Sequence, residues 1–232
     1  MSVRKTCFEN DKIYHIYNRG VEKRNIFTED IDYVRFLHDL FELNNQNKSP
    51  NITYHFKALK NSEARPSNLK REPRELLVEI FGFVLMPNHY HLILKQKSDN
   101  GVIRFMQKLG TGYAMFFNQK YERVGSLFQG KFKSILVDKD SYLIHLLNYI
   151  HFNPLDLNLG GPASEYLRKY RWSSFLDYIG EKNFPSITSR DFMLNYFGET
   201  NREERYKKEA EEWLREKDKN ISDIRKIVLL EN

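Results

Sequence analysis

The sequence lacks the features of several protein classes. It contains one cysteine, Cys7, so an internal disulfide and a cysteine-based zinc site are both excluded. No run approaches the roughly 20 apolar residues of a membrane span, and the first residues have no apolar signal-peptide core. These absences predict a cytosolic protein without a membrane segment.

The composition indicates a folded protein with a basic balance. The 232 residues are 41% hydrophobic, which is enough to bury a core, and their formal net charge is +6. A basic chain is compatible with a polyanionic partner. The fourteen tyrosines and seventeen phenylalanines suit stacking on single-stranded bases, although most such rings are expected in the core.

Hydrophobic periodicity predicts an α+β fold. Strands are indicated at residues 12–19, 52–59, 76–85, 89–96 and 131–137, and helices at 28–44 (with Thr28 as the cap), 102–117 and 138–153. This order suggests an antiparallel sheet with helices on one face, in a domain at residues 1–154. A mostly helical C-terminal extension at 155–232 follows, with helices at 171–179, 189–196, 201–217 and 221–230.

Two histidines lie one residue apart in the segment at 86–94. In a strand, His89 and His91 point to the same face, a few ångströms apart, which suits one metal ion or one phosphate. Two half-exposed histidines without a ligand fit this spacing equally well. The pair therefore needs a third group before it indicates a site.

The last helix of the main domain offers that group. Tyr149 and Asn153 are four residues apart, so they share a helix face with their Cβ atoms about 6 Å apart. An asparagine carbonyl can complete a mixed nitrogen and oxygen metal site, and a tyrosine hydroxyl one turn away can attack phosphorus. The plain alternative is a tyrosine at the edge of the core and an asparagine that ends a helix.

Four ordered segments resemble those of the single-tyrosine HUH transposases of small insertion sequences, and most of all their domesticated REP-associated relatives. The segments are YHIYNRG at 14–20, MPNHYHL at 86–92, GSLFQGKFK at 125–133 and YIHFNP at 149–154, and YRWSS at 170–174 is also similar. Together they span about residues 12–175, and they are far more specific than the histidine pair.

The resemblance implies a function and a site. His89 and His91 would bind Mg²⁺ or Mn²⁺ with Asn153 as third ligand, where some relatives have glutamine, and Tyr149 would be the nucleophile. The enzyme would cut and rejoin single-stranded or hairpin DNA through a 5′-phosphotyrosine, on a ferredoxin-like catalytic domain. It would act in the prokaryotic cytoplasm, associated with the nucleoid, and relatives include both homodimers and monomers.

Other polar residues receive weaker predictions. DNA contacts are expected from residues that also fit a solvated surface, namely Asn18, Arg19, Lys23, Arg24, Arg104, Lys108, Lys131 and Lys133. His15, His145 and His151 are expected to be structural or close to DNA, and Trp172 to pack the extension onto the core.

Three other functions stay open at this point. A domesticated transposase can be a DNA-hairpin-binding module without catalysis. The same histidines can serve a metal hydrolase that activates water. A similar sheet can bind RNA, in which case binding would depend on the 2′-hydroxyl groups.

Overall fold

A four-stranded antiparallel sheet forms the centre of the molecule. The computed structural model describes residues 7–47, 73–157 and 162–216. The strands are β1 (Ile13–Arg19), β2 (Val78–Met86), β3 (His89–Gln96) and β4 (Lys133–Val137), side by side in the order β2-β3-β1-β4. Residues 87 and 88 form the turn from β2 to β3. The strand predicted at 52–59 and the helix predicted at 221–230 lie outside the described residues.

Helices surround this sheet. They are α1 (Asp30–Glu42), α2 (Gly101–Lys120), α3 (Asp140–Phe152), α4 (Ala163–Lys169), α5 (Phe175–Tyr178), α6 (Arg190–Leu194) and α7 (Arg202–Arg215). Short 3₁₀ turns occupy Val21–Lys23, Asn153–Leu157 and Asn195–Phe197. The helix predicted at 171–179 is only the four residues of α5. None of the helices described is long and apolar enough to cross a membrane.

The first part of the chain has the β-α-β-β-α-β order of a ferredoxin-like fold. Alternate strand residues, among them Tyr14, Leu92 and Leu94, form one buried cluster with residues of α1 and α2. Both helices of this unit therefore lie on one face of the sheet. The predicted α+β fold is confirmed.

The opposite face is also covered, which the sequence analysis did not predict. Here Ile93, Ile135 and Val137 pack in a second buried cluster with α3 and with residues of the C-terminal extension. A Cβ atom at position 82 would lie 3.0 Å from Leu147 Cδ1, so glycine at this position lets α3 lie close to the sheet. This close packing fixes the position of the end of α3.

The extension is also attached to the free edge of β2. Leu85 N donates to Trp172 O at 2.9 Å, and Ser174 N donates to Phe83 O at 3.0 Å. The indole of Trp172 stacks on Tyr33, with ring centroids 4.5 Å apart. As predicted, Trp172 packs the extension onto the core, and its segment covers an edge that would otherwise expose unpaired backbone groups.

The first helix begins one residue later than predicted. Glu29, not Thr28, is the residue before the first turn of α1. Asp32 Oδ2 accepts hydrogen bonds from the backbone N–H groups of Thr28 at 2.9 Å and Glu29 at 3.0 Å. Glu29 and Asp32 thus form a reciprocal capping box, in which Glu29 has the role that the sequence analysis assigned to Thr28.

Candidate active site

The sheet brings both histidines of the β3 pair to one end of one face. In the register between β1 and β3, Arg19 lies opposite His89 and Tyr17 lies opposite His91. The two imidazole centroids are 5.1 Å apart, and the rings are nearly perpendicular at 88°. The predicted strand and the shared direction of the two side chains are both observed.

Helix α3 brings the predicted third group to this pair. Asn153, the residue directly after α3, places Oδ1 3.1 Å from His89 Nε2. One turn earlier, the ring centroid of Tyr149 lies 5.7 Å from that of His91, at an angle of 79°. Two imidazoles, one amide and one phenol thus converge at the same end of the sheet.

A second tyrosine lies equally close to His91. The centroid of Tyr17 is also 5.7 Å from that of His91, but the two rings are stacked, with 28° between their planes. The sequence analysis included Tyr17 in the segment YHIYNRG and gave it no role of its own. Tyr17 lies opposite His91 because β1 pairs with β3, and these two strands are far apart in the sequence.

Each histidine of the pair has a polar neighbour at its other ring nitrogen. His89 Nδ1 lies 2.6 Å from Asn88 Oδ1, and His91 Nδ1 lies 2.8 Å from His15 Nε2. His15 is fully buried, and it was expected only to be structural or close to DNA. The structure places His15 within hydrogen-bond distance of His91.

Burial keeps both histidines neutral. It lowers the pKa of His89 below 6.5 and that of His91 well below 6.5. At His89 the hydrogen bond with Asn153 and the charge of Asp156 offset part of this effect, whereas the charge of Arg19 adds to it. Neutral imidazoles have a lone pair for a metal ion at pH 7.

The acidic and histidine side chains do not form a complete metal site by themselves. Within residues 7–47, 73–157 and 162–216, no group of three or more His, Cys, Asp or Glu side chains could hold a metal ion. A third ligand for the histidine pair would therefore come from another residue type. The amide oxygen of Asn153 is in position for this.

Basic residues lie beside the pair. We call Arg19, Lys23 and Lys133 the basic rim, because Arg19 lies opposite His89, Lys133 lies opposite Tyr17 and Lys23 O contacts Asn88. Asn18 and Lys131 instead line a pocket with Tyr90 and Met106 on the α2 side of the sheet. The Arg19 side chain donates to Gln129 Oε1, and Asn18 Nδ2 donates to Gly130 O at 3.1 Å. These contacts attach the loop at 125–131 to the end of β1.

Comparison with known proteins relates this part of the chain to a family model. Residues 69–153, which include both histidines, Tyr149 and Asn153, match the model of the IS200-like transposase family. The predicted family resemblance is confirmed. No curated protein matches the chain significantly.

A solved transposase structure shares the fold. Eight chains of known structure match significantly. One is a REP-associated tyrosine transposase bound to a REP hairpin, which is 15% identical in sequence with a TM-score of 0.50. The match covers 82% of this chain and 92% of that chain. At this identity the likeness shows that the two proteins share a fold.

The fold separates the remaining predicted DNA contacts. Arg24 follows the 3₁₀ turn after β1 and pairs with Glu22 at 3.4 Å. Arg104 and Lys108 instead donate to Gln46 O and Asn45 O, at 3.3 and 2.8 Å. This contact region lies at the start of β2, because the adjacent residue Asn44 donates to Val78 O, so the structure does not bring Arg104 and Lys108 to the histidine pair.

Two histidines of α3, which are not part of the β3 pair, hold the extension in place. His151 is buried between Tyr206 Oη at 2.6 Å and Ser174 Oγ at 2.7 Å. His145 Nδ1 accepts a hydrogen bond from Trp213 Nε1 at 3.2 Å. Both are structural, which is one of the two roles that the sequence analysis expected.

Proposed function

We propose that this protein is a metal-dependent tyrosine transposase that cuts and rejoins single-stranded or hairpin DNA. The observation that carries the proposal is the convergence of the Tyr149 ring on His91 and of Asn153 Oδ1 on His89. The match of residues 69–153 to IS200-like transposases and the fold shared with a hairpin-bound relative support it.

The ligand atoms fit a divalent cation. His89 and His91 offer neutral imidazoles, and Asn153 offers an amide oxygen, which is a mixed donor set with free coordination positions for phosphate oxygens. Mg²⁺ or Mn²⁺ held there would neutralise charge on the scissile phosphate. Because imidazole nitrogen suits Mn²⁺ better than Mg²⁺, we expect Mn²⁺ to bind more tightly.

Tyr149 would act as the nucleophile. Its oxygen forms a bond to phosphorus, the bond from phosphorus to the 3′-oxygen breaks, and the phenol loses its proton while the released 3′-oxygen gains one. The product is a 5′-phosphotyrosine and a free 3′-hydroxyl. Attack by the 3′-hydroxyl of another strand on the phosphotyrosine would reverse these bond changes and join that strand. The bond energy of the original phosphodiester is thereby conserved.

The basic rim would bind the DNA backbone beside this centre. Arg19 is exposed and lies opposite His89, and Lys133 is exposed and lies opposite Tyr17. Phosphates bound by these cations would position the strand without reading its sequence. Tyr17 and Tyr149 are half-buried, so the exposed part of each ring would offer a surface on which a base can stack.

Two matched substitutions test the nucleophile. Tyr149→Phe and Tyr17→Phe each remove one hydroxyl from a ring 5.7 Å from His91. With a labelled hairpin and Mn²⁺, wild-type and Tyr17→Phe proteins should form a covalent adduct on denaturing gels, and Tyr149→Phe should form none. All three proteins should bind the hairpin with similar affinity, since the phenol contributes to chemistry and little to binding.

The opposite results have definite meanings. An adduct that persists in Tyr149→Phe and disappears in Tyr17→Phe would transfer the role to the strand tyrosine. Hairpin binding by the wild-type protein with neither nicking nor adduct would indicate the non-catalytic binding module. A nick with a free 5′-phosphate and no adduct would indicate a metal hydrolase.

A further inference from the structure

The turn that carries Asn88 is held firmly beside the histidine pair. Gly20 N donates to Asn88 O at 2.9 Å, while Ile26 N and Phe27 N donate to Pro87 O at 2.7 and 3.0 Å. Three backbone hydrogen bonds from one loop thus fix a two-residue turn. The side chain of Asn88 starts from a defined position next to His89.

Both ends of the Asn88 amide are in use. Its Nδ2 donates to Lys23 O at 3.3 Å, and its Oδ1 lies 2.6 Å from His89 Nδ1. A backbone carbonyl can only accept, so the NH₂ group must face Lys23 and the oxygen must face the imidazole. The chemistry of the partners thereby decides the amide orientation.

The oxygen at His89 Nδ1 also determines which ring nitrogen of the neutral imidazole carries the proton. Because Asn88 Oδ1 can only accept, the proton of neutral His89 lies on Nδ1, and Nε2 keeps its lone pair. That lone pair faces Asn153 Oδ1, another acceptor, at 3.1 Å. With the Asn153 oxygen on this side, a cation placed near both atoms would satisfy the two acceptors, and with the amide turned over Nδ2 would donate to Nε2, so both orientations leave Nε2 without a proton.

We propose that Asn88 is a positioning residue of the metal site: it accepts the Nδ1 proton of His89 and so fixes the tautomer and ring orientation in which Nε2 binds a divalent cation. The inference rests on the proposed function, because it assigns His89 to that site. Metal-binding histidines commonly have such a partner, and losing it costs about 10- to 100-fold in metal affinity.

The other histidine of the pair shows why Asn88 is the informative residue. His91 Nδ1 faces His15 Nε2 at 2.8 Å, and either imidazole can donate to the other. The direction of that hydrogen bond is therefore not decided by the chemistry of the partners. At His89 it is decided, so a tautomer can be predicted and measured.

The first test needs no metal. Two-bond ¹H–¹⁵N correlation spectra of protein labelled at histidine distinguish the two neutral tautomers, and His89→Gln identifies the His89 signals. Wild-type protein should show His89 protonated at Nδ1, and Asn88→Ala should shift His89 toward protonation at Nε2. A wild-type His89 protonated at Nε2 would overturn the proposal.

The second test measures Mn²⁺ binding by titration calorimetry and by the loss of the free Mn²⁺ EPR signal. Asn88→Ala should bind about 10- to 100-fold more weakly than wild type. Asn88→Asp keeps an acceptor for His89 but loses the donor to Lys23 O, so it should bind Mn²⁺ at least as tightly as wild type. If Asn88 only braced the turn, Asn88→Asp would be as weak as Asn88→Ala, and the proposal would fail.

Asn118→Ala is the matched control. Asn118 also spans a loop with both ends of its amide, to Gly125 O at 2.8 Å and Arg123 Nη1 at 3.0 Å, but it contacts neither histidine. Its Mn²⁺ affinity should equal that of wild type. Thermal unfolding of every variant confirms that the compared proteins are folded.

The outcomes separate this inference from the proposed function. If wild-type protein binds no Mn²⁺, or if His89→Ala binds it equally well, the proposed metal site is wrong. If wild type binds Mn²⁺ through His89 and Asn88→Ala binds it equally well, the site stands and the role of Asn88 is refuted.

Discussion

The two faces of the sheet are built from the same strands and differ completely in character. Toward α1 and α2, the strands present Tyr14, Leu92 and Leu94, each at most 1% exposed. Toward α3, the neighbouring positions are His15 and His91. Because side chains alternate along a strand, residues adjacent in sequence serve different purposes: one face supplies apolar burial, and the other holds the candidate chemistry.

The face toward α3 is itself divided along its length. At one end Ile93 and Val137 are buried in the second core cluster, and at the other end Tyr17 and Arg19 lie at a polar edge. Gly82 lets α3 approach the apolar part closely. This packing fixes the end of the helix at the polar edge, so the apolar contacts position Tyr149 and Asn153.

The largest effect, a loss of cleavage, is expected from substituting a histidine at the polar end of the face toward α3. His89→Ala should abolish Mn²⁺-dependent cleavage and adduct formation, because one of the three proposed ligand side chains would be lost, while the free energy of unfolding changes by about 1 kcal/mol or less. Cleavage of a labelled hairpin at low Mn²⁺ and urea unfolding measure the two quantities.

His145→Ala serves as the control for this substitution. His145 lies on α3 and contacts Trp213 of the extension. Its loss should leave cleavage intact, which shows that removing a histidine from the domain is not sufficient for the effect. Cleavage by His89→Ala at the wild-type rate would remove the histidine pair from the site.

Substitutions on the face toward α1 and α2 should have the opposite pattern, with lower stability and unchanged cleavage. Leu92→Ala removes a fully buried side chain and should lower the free energy of unfolding by about 2–5 kcal/mol, while folded molecules keep wild-type cleavage. Leu136→Ala is matched to it, since Leu136 lies opposite Tyr14 but is 40% exposed, and it should cost under about 1 kcal/mol. A selective loss of cleavage in Leu92→Ala at full stability would show that the two faces are not separate in function.

Local sequence patterns predicted one of these faces well and the other only in part. Apolar residues at period two gave the strands, and the spacing of His89 and His91 gave their shared direction, because both are properties of a short segment. The apolar stripe of α3 showed that one side of the helix is buried, but it contains no information on which sheet face receives it. That placement depends on contacts such as Gly82 with Leu147, far apart in the sequence.

The neighbours of the histidines were missed for a similar reason. Tyr17 and His15 reach His91 through the pairing of β1 with β3, across more than 70 residues of chain. Asn88 is adjacent to His89, but its amide orientation depends on Lys23 O, in a loop that only the fold brings near. The sequence and its family resemblance suggested the central residues of the site, whereas their supporting partners required the structure.

The smallest expected effect is on the free energy of unfolding at high pH, through a residue of the apolar face. Burial raises the pKa of Tyr33, stacked between Phe27 and Trp172, to about 12. The phenol is neutral in the folded protein and ionises near pH 10 when unfolded, so its contribution to stability is complete below pH 10 and is lost as the pH rises toward 12. The slope is at most about 1.4 kcal/mol per pH unit for this one residue. Tyr33→Phe should reduce the alkaline fall in the free energy of urea unfolding between pH 9 and pH 11 by about 1 kcal/mol in total, because the full slope applies only above pH 10. Equal falls in the two proteins would show that Tyr33 is not shielded from water as the stack indicates.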